Sequence, residues 1–179
     1  MKKLLGFVLI ALVAMTLSES ASGQSADAKI TGADRYKARA AGRSMRSALD
    51  YSQDYRQYVR TAPAKKVSPE VAKDAADTIG QYIAKSQKHM ASMRKNAGGD
   101  KETLASLDLI DKNLVSAAKH HKEMHEICME ENVDADGSMK CCEQIDESLK
   151  LAIAEHDKLM KRLADGKPAA PTKSTKSTK

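Results

Sequence analysis

The chain has no tryptophan, and its one phenylalanine, Phe7, lies in the first segment. Base-stacking surfaces need exposed aromatic rings, so no nucleic-acid partner is expected. The same shortage of large rings makes a haem pocket unnatural, and the absence of Cys-x-x-Cys-His excludes covalent haem. No window alternates apolar and polar residues, and β-branched residues are thinly spread, which excludes a sheet. There is no glycine-rich phosphate loop, no Gly-x-Ser-x-Gly, no His-Glu-x-x-His and no Glu-x-x-His pair of the di-iron kind. The acidic pairs all read as solvated helix faces, so the expectation is a protein that is not an enzyme.

A long hydrophobic run is also lacking. Leu4 to Leu17 is apolar apart from Gly6 and Thr16, too short for a membrane crossing of about 20 residues. Lys2 and Lys3 precede it, and Ser18, Ser20, Ala21, Ser22 and Gly23 follow. A positive start, a short apolar run and a small-residue exit spell a secretory signal over residues 1–23. Cleavage after Gly23 would make Gln24 the new first residue, and no cysteine near the exit offers a lipid attachment point. The expectation is a periplasmic or secreted protein with no membrane span in its mature chain of about 156 residues, a size suited to one domain.

The formal charge of +6 is distributed unevenly. Cleavage would remove Lys2, Lys3 and Glu19, leaving +5; setting aside Lys167, Lys173, Lys176 and Lys179 leaves +1 for residues 24–166. A nucleic-acid binder carries its basic patch on the folded surface. Arg35, Lys37, Arg39, Arg43 and Arg46 do cluster on the first helical stretch. They read as a solvated face, with an anionic partner as the alternative. Residues 167–179, Pro-Ala-Ala-Pro and then Lys, Ser and Thr, have nothing to bury and read as a disordered tail. Their charge could touch an anionic envelope polymer.

Only four prolines occur, and all punctuate. The first helical stretch, from about Asp27, stops before Pro63. Ser68-Pro69-Glu70 restarts the chain with an N-cap, a first-turn proline and an acid. The second stretch ends at Gly98-Gly99, Asp100 caps a third that runs to about Glu131, and Asp134-Ala135-Asp136-Gly137 is a turn signal. The fourth begins near Ser138 and closes at Asp165-Gly166. Apolar positions recur at steps of three and four: Leu107, Ile110, Leu114, Ala117, His121, Met124 and Cys128 on the third, and Cys142, Ile145, Leu149, Ala152, His156, Leu159 and Leu163 on the fourth. The second gives Ala75, Ile79, Tyr82, Ser86, His89 and Met93. Such seams predict an up-down-up-down antiparallel four-helix bundle over residues 24–166, each helix about 40 Å long.

These seams hold side chains that a purely structural bundle would not choose. Every cysteine and histidine lies between residues 89 and 156, among several methionines. Soft and borderline metals take such donors. The helix register places His121, His125 and Cys128 near Cys141 and Cys142 at one bundle end. His121 and His125 at i and i+4 could present two imidazoles to one ion, and Cys128 continues that face. Copper is the first expectation and zinc the second, for a bundle that sequesters, buffers or delivers the metal. The alternative is a structural or adaptor bundle stapled by a disulfide from Cys128 to Cys141 or Cys142, which an exported chain permits. Toward the opposite end, His89, Met90, Met93, His156 and Met160 form a second candidate set, suited to Cu(I) or to axial His/Met ligation of haem b.

The segment Asn132 to Glu143 resembles the EF-hand calcium loop over its twelve positions. That resemblance implies oxygen ligands from Asn132, Asp134, Asp136, the Ser138 backbone and Glu143, with Gly137 at the sharp turn. Asn132 replaces the usual Asp, Glu131 stands where an apolar residue is usual, and no second hand is visible. The other reading is a bundle turn rich in Asp and Gly.

Overall fold

The computed structural model describes residues 30–63 and 66–165. The signal over residues 1–23, its cleavage site and the tail over 167–179 lie outside the described residues. Four helices follow in order: α1 Gly32–Thr61, α2 Pro69–Asn96, α3 Lys101–Cys128 and α4 Ala135–Ala164. Each packs on its neighbour in the chain, and α1 closes the ring against α4. This is the up-down-up-down antiparallel four-helix bundle. Among the described residues no helix is long and apolar enough to cross a membrane.

The helix ends are fixed by local chemistry. Thr31 and Asp34 form a capping box on α1, and Asn96 at the end of α2 donates to the Asp34 carboxylate at 2.7 Å. One bundle end is thus tied across two helices. Ser68 caps α2 ahead of Pro69, and its backbone N–H donates to the Tyr58 hydroxyl at 2.9 Å. Gly98 turns the chain between α2 and α3 with φ of 59°, a left-handed conformation that glycine adopts without strain. Asp100 and Asp134 cap α3 and α4.

Two seams match the sequence reading closely. Leu107, Ile110, Leu114, Ala117, Met124 and Cys128 of α3 are buried, as are Cys142, Ile145, Leu149, Ala152, His156 and Leu159 of α4. On α2, Ala75, Ile79, Ser86 and Met93 are buried as expected, but two positions differ. Ile83 and Met90 fill the core, while Tyr82 and His89 stand at its margin. Both rows have helical spacing. The row that buries isoleucine and methionine removes more apolar surface from water than one that buries a phenol and an imidazole.

The expected calcium loop is not a loop. The helix α4 begins at Ala135, so nine of the twelve positions lie in its first turns. Asp134 spends Oδ1 on the backbone N–H groups of Asp136 and Gly137, both at 3.1 Å. Glu143 points to Arg56 of α1, 2.8 Å away, and Ser138 is buried. Asn132, Asp134, Asp136, Ser138 and Glu143 therefore do not encircle an ion. N-capping by Asp134 takes precedence, because unsatisfied N–H groups at a helix start need an acceptor.

Candidate functional site

The richest chemistry sits at the end that carries the α1–α2 and α3–α4 connections. Met124 and Cys128 lie one turn apart on α3. Across from them on α4, Cys142 donates its thiol proton to Met124 Sδ at 3.4 Å. The helix α1 supplies Tyr55, whose hydroxyl is 3.8 Å from Cys128 Sγ and 3.2 Å from Ser138 Oγ. Ser138 in turn donates to the Ala135 carbonyl at 3.0 Å. Each hydroxyl has one proton, so the direction is fixed: Cys128 S–H to Tyr55, Tyr55 to Ser138, Ser138 to backbone. Ser52 of α1 reaches the Cys142 carbonyl at 3.4 Å. Three helices thus close around two thiols and a thioether, all buried.

Burial dominates the electrostatics here. It pushes the Cys142 thiol up to about 12 and raises Cys128 and Cys141 as well. Ionisation of Cys128 or Cys141 would oppose that of Cys142 further. Burial likewise raises the Tyr55 phenol. At neutral pH these are protonated thiols, inert as nucleophiles. All three cysteines are free, so no disulfide joins Cys128 to Cys141 or Cys142.

The histidines expected beside this cluster face elsewhere. His121 crosses from α3 to α2, where its Nε2 lies 2.8 Å from the Ala76 carbonyl. A carbonyl only accepts, so Nε2 carries the proton. His125, on the same side, holds Nε2 at 3.3 Å from Asp77, with its ring centroid 6.0 Å from that of His121. Cys128 instead points to Tyr55, toward α1 and α4. Among the described residues no three His, Cys, Asp or Glu side chains converge as a metal site. The set His121, His125, Cys128, Cys141, Cys142 is accordingly split into an imidazole pair and a sulfur cluster.

The second candidate set is dispersed too. His156 of α4 is buried against α1, with Nε2 donating to the Ala38 carbonyl at 2.8 Å. His89 instead lines a groove between α1 and α2. Met90 and Met93 are core residues, and Met160 packs on the core from its edge. His89 and His156 serve different helix pairs, so they do not form a shared axial set for haem or copper.

Two glycines explain how the histidines fit. A Cβ at Gly42 would lie 2.5 Å from His156 Cε1, and one at Gly80 would collide with the His121 ring. Each imidazole occupies a notch on the facing helix, four residues past the carbonyl it bonds. Ala38, Gly42 and His156 repeat as Ala76, Gly80 and His121. The sequence signal was available: a mid-helix glycine is costly unless something needs its space. Helix register also sends Tyr55 toward the cysteine end, but nothing in the sequence marks Ser138 as its partner. No protein-family model matches this chain, and no similar curated protein or solved structure was found.

Proposed function

We propose that this protein is an exported copper(I)-binding bundle that buffers or delivers the ion through sulfur. The ligands are the Cys128 and Cys142 thiolates and the Met124 thioether, with Cys141 at the rim. The supporting observation is the buried approach of Cys142 Sγ to Met124 Sδ, 3.4 Å, one turn from Cys128. Soft thiolate and thioether donors select Cu(I), whereas zinc asks for four ligands of the imidazole, thiolate or carboxylate kind. The histidines, occupied by backbone carbonyls and Asp77, are not ligands in this reading. Metal entry displaces the two thiol protons, so affinity rises with pH.

Competition between the mature protein and a chromogenic Cu(I) chelator tests this. Wild type and His121→Ala/His125→Ala should withdraw one equivalent of copper; Cys128→Ser/Cys142→Ser should withdraw none. Loss of binding in the histidine variant, or its persistence in the cysteine variant, contradicts the assignment. The second reading, a structural or adaptor bundle, draws on the unbroken hydrogen-bond chain from Cys128 to Ala135, which satisfies a protonated thiol without metal.

A further inference from the structure

The α1–α2 face carries a groove of about 440 Å³ that the sulfur cluster does not use. Its α1 wall is Tyr36, Arg43, Ser44 and Ser47; its α2 wall is Tyr82, Lys85 and His89. Two contacts set the register. Lys37 Nζ bonds Ser92 Oγ at 2.8 Å, and Ser86 Oγ reaches the Ala41 carbonyl at 3.4 Å. These place Arg43 level with Lys85, with Tyr36 and His89 toward one end and Ser47 and Tyr82 toward the other.

The charge of this groove has no internal balance. Arg46, Arg56, Arg60, Arg94 and Arg162 all pair with carboxylates. Arg43 and Lys85, like Arg35 and Arg39, have no carboxylate partner among the described residues; what sets them apart is that both line one groove that no carboxylate lines. Two exposed cations thus line one groove together with hydroxyls and a ring nitrogen. The volume is within the range of small-ligand sites, roughly 300–1,000 Å³.

We propose that the groove binds a phosphate-bearing small molecule. The phosphate sits between Arg43 and Lys85, and the organic part lies along the tyrosine walls. Arg43 supplies the planar fork that matches two phosphate oxygens, and Lys85 supplies a point charge. Ser44, Ser47 and His89 offer further hydrogen-bond partners. His89 reports occupancy. Burial, then Lys85, Lys88, Lys37 and Arg43, hold its imidazole below the ordinary value. An anion seated among those cations raises it again.

The test is an NMR titration of the mature protein with phenyl phosphate, inorganic phosphate and benzoate. Phenyl phosphate should bind most tightly, shift the amides of residues 36–47 and 82–89, and raise the His89 titration midpoint. Arg43→Ala/Lys85→Ala, both exposed positions, should weaken it at least tenfold with an unchanged melting curve. Unchanged affinity in that variant, or equal affinity for phenyl and inorganic phosphate, overturns the site. Tighter binding of benzoate overturns its assignment to phosphate.

Discussion

Gly42 and Gly80 separate steric fit from helix propensity. In an open helix, glycine to alanine stabilises by about 1 kcal/mol. Here the new methyl meets an imidazole held by a backbone carbonyl. Gly42→Ala and Gly80→Ala should each destabilise by about 1–3 kcal/mol in urea unfolding. In a His156→Ala background Gly42→Ala should turn stabilising, so the double-mutant cycle should show strong coupling. Additivity would refute the notch. His121 makes a second test. Burial first, then His125, outweighs the Ala76 bond and Asp77, holding its imidazole below the ordinary value of 6.5. The unfolded chain therefore takes up a proton, as pH falls through about 6.5, that the folded chain refuses. Stability should be unaffected by His121 above that pH and should fall below it. Comparison of melting midpoints at pH 7.5 and 5.5 checks this, and His121→Gln should flatten the difference. Both histidines stood out on their seams in the sequence, but their partners did not. The acceptors are main-chain carbonyls, which leave no side-chain signature.

At the scale of elements, α1 and α4 are joined by an ion pair that the sequence hides among its many solvated charges. Arg56 Nη1 lies 2.7 Å from Asp146 Oδ2, with only 2% of the Asp146 side chain exposed. Arg56 also reaches Glu143 at 2.8 Å. Arg56→Ala leaves Asp146 buried without its cation, and should cost about 3–5 kcal/mol by chemical denaturation. Joint replacement of the pair by Met and Leu should cost far less. A small effect of Arg56→Ala would show that water screens the carboxylate. The helices themselves were legible because their stop and start residues act locally: Pro69 beside Ser68, Asp100 after a glycine pair. The fourth helix was read about one turn late. Asp134 and Gly137 suit a turn and an N-terminal helical turn equally, and burial of Ala135 and Ser138 decides for helix. The choice of Ile83 over Tyr82 and of Met90 over His89 on α2 was illegible for a related reason, since rows one residue apart both keep helical spacing.

At the scale of the whole molecule, the ends and faces of the bundle carry different chemistry. Sulfur gathers inside the end with two connections, imidazoles pin neighbouring helices through glycine notches, and unpaired cations line the α1–α2 groove. The sequence placed Cys128, Cys141 and Cys142 at one end through loop-centred register alone. It assigned His121 and His125 to the same cluster because they share a face of α3 with Cys128, and a shared face does not say which of the adjoining helices each side chain meets. X-ray absorption at the copper edge of the Cu(I)-loaded protein tests the central claim most directly. The account predicts a first shell of sulfur alone, without the outer-shell scattering of imidazole, and loss of that shell in Cys128→Ser/Cys142→Ser. Imidazole scattering that vanishes in His121→Ala/His125→Ala would contradict it.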